Sequence, residues 1–229
     1  MLKTILSAAA LIALAATPGQ AQDATAETAE PAPRAAASYA TLDYDLQADR
    51  ENILFLDLSN GRRVAIRLMP DWAPNHVERI KTLARQGFYD GVIFHRVIEG
   101  FMAQTGDPTG TGQGGSQLPD LEEEFNPMPH VRGTVSMARL GNNEDSANSQ
   151  FFIVFYPRFS LDRTYTNFGR VIAGMDAVDN IARGEPPSNP TRIVQASIAS
   201  DNRPAPNPAS LARPQVPDIT AGSTVPAGE

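Results

Sequence analysis

Apolar residues in this chain fall in short runs with turn residues between them. Ile53-Leu54-Phe55-Leu56-Asp57-Leu58 is followed by Asn60-Gly61, and then Val64, Ile66 and Leu68 alternate with Arg63, Ala65 and Arg67. Two such runs around Asn-Gly mark a β-hairpin. Further runs at 92–98, 101–105, 133–138, 150–155, 168–171 and 192–198 read as strands. Two stretches carry the helical period instead. In 74–86, Pro74 opens the first turn, Val77, Ile80, Leu83 and Ala84 share a face, and Gly87 stops it. In 175–183, Val178, Ile181 and Ala182 point inward and Gly184 ends the pattern. About eight short strands in ~150 residues predict a sandwich or closed barrel. Two irregularly placed helices do not fit a parallel sheet.

The periodic part is bounded on both sides. Met1 to Ala21 has Lys3, an apolar stretch from Ile5 to Ala16 and small residues at its end, the pattern of a secretory leader. The apolar stretch is well short of the ~20 residues a membrane span needs, so no membrane insertion is expected once the leader is removed. Residues 22–48 are rich in Ala, Glu, Thr and Pro and predict a disordered spacer; 201–229 predict a disordered Pro-rich tail. The folded domain is expected over 49–200.

Composition narrows the chemistry. Lys+Arg 19 against Asp+Glu 26 gives a net charge of −7, which disfavours nucleic-acid binding through phosphate neutralisation. The absence of cysteine removes disulfides, thiol nucleophiles and Cys-ligated metals. With His76, His95 and His130 the only histidines, a His-rich metal site is not expected. Gly110-Thr111-Gly112-Gln113-Gly114-Gly115 satisfies G-x-G-x-x-G, but Asp107-Pro108-Thr109 precedes it and Pro119 blocks a long helix after it. It reads as a loop turning tightly beside a cleft rather than a dinucleotide site. His95 and Asp107 could suggest hydrolysis, yet no nucleophile elbow accompanies them; a rim histidine bonded to backbone is the better reading. Glu122-Glu123-Glu124 reads as a solvated face.

The stretches FHRVIEGFMAQTGD, GTGQGG, VSMAR, SQFFIVF and NFGRV occur in this order. In that order and spacing they resemble the cyclophilin family of peptidyl-prolyl cis–trans isomerases, over about two thirds of the chain. The short Ser-Met-Ala-Arg form and the leader resemble its secreted bacterial branch. The resemblance implies a mainly β fold: an eight-stranded antiparallel closed barrel capped by two α-helices. It implies an isomerase without cofactor or metal, acting as a monomer on proline-containing polypeptides, in the periplasm or outside the cell. It also implies roles: Arg96 as the catalytic arginine, Gln104 on the substrate carbonyl, and Phe101, Met102, Phe152 and Leu161 around the proline ring. His95 and Tyr165 fall at rim positions, and Ala138 and Arg139 on the edge that pairs with bound peptide. The alternative is a proline-peptide binding module or holding chaperone with little turnover.

The sequence departs from the family in two places. Ser160 stands where many members carry tryptophan, so weak cyclosporin binding is expected, with Phe159 next door as a partial replacement. The loop 140–148 is longer than in compact members.

Overall fold

The computed structural model describes residues 41–207. The expected leader, most of the spacer and the tail beyond 207 lie outside the described residues. Eight strands form one antiparallel sheet: β1 (Ile53–Leu58), β2 (Arg63–Leu68), β3 (Arg96–Ile98), β4 (Met102–Thr105), β5 (Thr134–Met137), β6 (Phe151–Val154), β7 (Asn167–Ala173) and β8 (Ile193–Ile198). Their spatial order is β3-β4-β6-β5-β7-β2-β1-β8. Helices α1 (Pro74–Arg85) and α2 (Met175–Asp179) complete the regular structure.

The expected hairpin is β1–β2, with Leu56 opposite Val64 and Gly61 at φ 82° in its turn. The two edge strands, β3 and β8, do not pair with each other. The segment before β3 meets the start of β8 instead, through the Ile93–Arg192 bridge and the hydrogen bonds of Gly91 and Val92 with Ile193. The sheet is therefore a curled half-barrel rather than the closed one expected. The reason lies in the run 92–98, which was expected to be one strand. Phe94 N–H donates to the carbonyl of Thr191, beside β8, whereas Arg96–Ile98 pair with β4. The chain thus changes partners at His95, and no single ladder joins the two edges. Phe94, which strand alternation through 92–98 would put on the face of Arg96, consequently turns into the core and is fully buried.

The α1 face is as its period requires, with Val77, Ile80, Leu83 and Ala84 buried. Its first turn has a carboxylate acceptor brought from far along the chain: Glu124 accepts from the N–H groups of Asn75 and His76 and from His76 Nδ1 at 2.6 Å. One member of the acidic run is therefore tied to a helix N-terminus, where a negative charge is favoured, rather than solvated. Helix α2 stops at Asp179, short of the expected Arg183, because the Thr191 hydroxyl accepts from Ala182 N–H and turns the chain away.

The ordered unit is wider than 49–200. Arg67 on β2 is 3% exposed and donates to the carbonyls of Asp43, Asp45, Ala48 and Asp49. A buried guanidinium must spend its donors on fixed acceptors, and this one straps the end of the expected spacer to the sheet. At the other end, Arg203 donates to the carbonyl of Ala196 and Gln195 to that of Pro204.

Candidate active site

Register builds the site. Arg96 lies opposite Gln104, Gln104 opposite Phe152, and Phe152 opposite Ser136. Directly paired residues project from the same face of a sheet. One row across β3-β4-β6-β5 therefore reads Arg96, Gln104, Phe152, Ser136. Two residues along, Ile98, Met102 and Val154 form a second row on that face. The row between them, Val97, Ala103, Ile153 and Val135, faces the main core.

The outward rows gather a second apolar cluster, separate from the core: Met102, Phe152, Val154 and Leu161. Phe101, Ala138 and Tyr165 pack against it half-buried. Leu161 comes from a short 3-10 turn, Phe159–Leu161. Tyr165 meets Phe152 edge to face, with ring centroids 5.6 Å apart. Arg139 stacks on Tyr165 at 4.9 Å while its Nε donates to the carbonyl of Thr164. Ala138 N–H donates to the carbonyl of Gln150. The structure thus brings nine of the ten expected residues into or beside one outward-facing apolar cluster, hereafter the hollow, with Arg96 and Gln104 in its first row.

His95 is the exception. It is 5% exposed, and neither ring nitrogen has a hydrogen-bond partner. The expected backbone contact is not made; Gln150 Nε2 donates to the carbonyls of Gly112 and Gly114. Burial lowers the imidazole pKa, against the pull of Asp107, so the ring is neutral at pH 7. Phe159 is not among the side chains packed on the hollow and is 63% exposed, so it does not replace the missing tryptophan; Ser160 is exposed as well.

The glycine-rich segment wraps around a carboxylate of its own chain. Asp107 is fully buried and accepts from the N–H groups of Thr109, Gly112 and Gly114 and from the Thr109 hydroxyl. A Cβ on Gly114 would stand 2.1 Å from Asp107 Oδ1, so only glycine allows the approach. Successive N–H groups of this kind make an anion nest, and here the anion is built in. A cavity of about 330 Å³ opens between this lip and the 140–148 loop, lined among others by Gln104, Gln113, Arg139, Asn148 and Gln150.

Two features were not anticipated. Gln104 donates to Gln150 Oε1 at 2.9 Å, which ties the polar row to the glycine lip. Gln150 sits two positions before Phe152, so strand alternation could have placed it on this face. Beneath the hollow, His130 bonds Asp162 through Nδ1 at 2.9 Å and Ser136 through Nε2 at 2.8 Å, and stacks on Phe152. Because a carboxylate only accepts, Nδ1 carries the proton; burial lowers the pKa of His130, so neutral Nε2 accepts from the Ser136 hydroxyl. The order Ser-His-Asp resembles an acyl-transfer triad, but Ser136 is fully buried under Phe152 and has no access to a substrate carbonyl. Nothing local in the sequence signals this network, since Asp162 lies 32 residues from His130.

Comparison with known proteins agrees with this architecture. Residues 55–198 match the family model described as cyclophilin type peptidyl-prolyl cis-trans isomerase/CLD. A probable peptidyl-prolyl cis-trans isomerase of Brucella suis is 49% identical over 172 residues, covering 68% of this chain and 87% of the relative. Peptidyl-prolyl cis-trans isomerase B of Bacillus subtilis is 43% identical over 129 residues, covering 56% and 89%. Among solved structures, cyclophilin AquaCyp293 from Hirschia baltica is similar with a TM-score of 0.63 and 32% identity, over 68% of this chain and 77% of that one. A Cryptosporidium parvum cyclophilin crystallised in the presence of the dipeptide Ala-Pro has a TM-score of 0.59 and 28% identity, over 64% and 98%. The chain belongs to the cyclophilin-type peptidyl-prolyl cis–trans isomerases, and rotation about X–Pro bonds is its activity.

Proposed function

We propose that the isomerase works by holding a proline ring in the hollow of Met102, Phe152 and Leu161 while Arg96 meets the imide nitrogen at mid-rotation. The observation that carries this reading is the row Arg96–Gln104–Phe152, which sets a cation and an amide beside an apolar floor. An X–Pro bond turns slowly because amide resonance imposes a barrier of about 20 kcal/mol. As the bond twists, the nitrogen pyramidalises and gains a lone pair. A guanidinium aimed there donates a hydrogen bond that the planar ground state cannot accept, so binding favours the transition state. No covalent bond to the substrate is needed, hence neither nucleophile nor general base. Lowering the barrier by ~7 kcal/mol gives about a 10⁵-fold rate. One charge-assisted hydrogen bond supplies roughly 1.5–3 kcal/mol of it; the fixed floor and the oriented Gln104 amide, holding the substrate carbonyl end, supply the rest. In this reading Phe101 and Tyr165 wall the hollow. Arg139 braces Tyr165, Ala138 lies on the peptide's edge, and residues before the proline run toward the 330 Å³ cavity.

The substrates proposed are unfolded or partly folded polypeptides of the periplasm or the extracellular space. Support for that compartment is the apolar stretch behind Lys3. The experiment is cis–trans exchange of a proline tetrapeptide, wild type beside Arg96→Ala. The variant should lose at least tenfold in kcat/KM, ~1.4 kcal/mol, with Arg96→Lys also poor because the rigid donor fork is gone. Normal turnover in folded Arg96→Ala overturns the role of that side chain. Binding of the peptide without exchange above background makes the groove a holding site instead.

A further inference from the structure

Arg96 has one side-chain partner among the described residues. Its Nε donates to Glu185 Oε2 at 2.8 Å. Both groups are about half exposed, so the pair does not belong to the core and is not needed to bury a charge. Its geometry is nonetheless built into the backbone. The residue before Glu185 and the residue after Arg96 form an isolated antiparallel bridge, with Val97 N–H on the carbonyl of Gly184 at 2.8 Å and Gly184 N–H on that of Val97 at 3.0 Å. Gly184 has φ 142°, and a Cβ there would stand 2.7 Å from Pro187 Cα. The loop can therefore hold this conformation beside β3 only with glycine at that position. These two backbone bonds deliver the Glu185 carboxylate beside the Arg96 stem.

The neighbour in the row does not do this work: Gln104 is turned toward Gln150, to which its Nε2 donates, and among the described residues no hydrogen bond joins it to Arg96. A guanidinium is planar, and an acceptor fixed on Nε sets the plane while leaving Nη1 and Nη2 unclaimed. Donors aimed in advance at the place where charge develops act without reorganisation. We propose that Glu185 is a positioning residue for the isomerisation: it pins Arg96 through Nε so that the terminal nitrogens face the twisting imide. This inference rests on the reading that Arg96 acts on that nitrogen, and the test separates the two.

The experiment measures kcat and KM by NMR exchange on an X–Pro peptide for Glu185→Ala, Glu185→Gln, Arg96→Ala and the Arg96→Ala/Glu185→Ala double variant, each shown to be folded by its thermal midpoint. Glu185→Ala should lower kcat about fivefold, roughly 1 kcal/mol, with KM within twofold of wild type. Glu185→Gln keeps a neutral oxygen for Nε and should recover most of the loss. In the Arg96→Ala background, removing Glu185 should cost nothing further. Wild-type kcat in Glu185→Ala, or the same fivefold loss in both backgrounds, overturns the positioning role while leaving Arg96 in place. Wild-type turnover in Arg96→Ala removes the ground for both.

Discussion

Phe151 and Phe152 are adjacent in one strand and belong to different worlds. Phe151 is fully buried, edge-on to Tyr89 at 5.6 Å and to Phe168 at 6.2 Å, within the aliphatic interior of the curled sheet. Phe152 faces the opposite way, is 5% exposed, and lies between the half-buried Tyr165 and the hydrogen-bonded His130. The core is finished by the protein itself: every wall is another apolar side chain. The hollow is finished on one side only. Its floor is apolar, its underside is a hydrogen-bonded network of Ser136, His130 and Asp162, and in the proposed mechanism its upper side takes the proline ring. A hydrogen-bonded network with its serine and histidine buried fixes one geometry, where an apolar support would tolerate several packings. Strand alternation thus lets one four-residue segment stabilise the fold with odd positions and present a site with even ones.

The sharpest way to break this comparison is to truncate the two rings separately. Phe151→Ala should cost about 3–5 kcal/mol in urea unfolding, the usual penalty for an interlocked core aromatic. Measured where it is still folded, it should keep kcat/KM within threefold. Phe152→Ala should cost less stability, since solvent can reach the space it leaves, yet lose at least tenfold in kcat/KM. Equal effects of both truncations on both quantities would erase the distinction between core and site.

How much of this division could be read from the chain depends on the range of the interactions involved. The hairpin, α1 and most strands follow from local period and punctuation, and Arg96, Gln104 and Phe152 follow from alternation once the family motifs align them. Contacts that close over long stretches of chain were not legible. Nothing near Arg67 signals that its guanidinium gathers four carbonyls 18 to 24 residues upstream. Glu124 looked like one more surface charge because its acceptor role depends on Asn75 and His76, nearly fifty residues earlier. The switch of partners at His95 was hidden for the same reason, since an apolar run has the same pattern whichever strand it pairs with. Glu185 is 89 residues from Arg96 and is brought there by a single bridge.

Asp107 sharpens the comparison from the side of charge, because it is as buried as Phe151 but belongs to the lip of the groove. Burial alone would raise its pKa. The Thr109 hydroxyl and the N–H groups of Gly114, Thr109 and Gly112 outweigh that and hold it at about 2, below the ordinary 3.8. A carboxylate depressed on folding contributes stability that is complete above the unfolded pKa and lost as pH falls through the folded one. The contribution is about 2 kcal/mol. Unfolding of wild type and Asp107→Asn should therefore differ most above pH 5, with the gap closing by about that amount toward pH 2. A gap that stays constant over this range would mean that the charge does not organise the lip.

The smallest effect concerns the open upper side of the hollow. Ser160 is exposed on the turn whose next residue, Leu161, packs into the cluster. A tryptophan at 160 starts beside the rim, whereas Phe159 is 63% exposed and packs against none of it. If a bound cyclosporin covers about 50 Å² of the new indole, ~25 cal/mol per Å² gives roughly 1.3 kcal/mol, close to tenfold in affinity. Calorimetry should accordingly find weak binding to wild type, tighter binding to Ser160→Trp, and no change for Phe159→Ala. A folded Ser160→Trp with no gain would show that this rim does not lie against the ligand. The hollow would then be bounded on that side by Tyr165 and Arg139 alone.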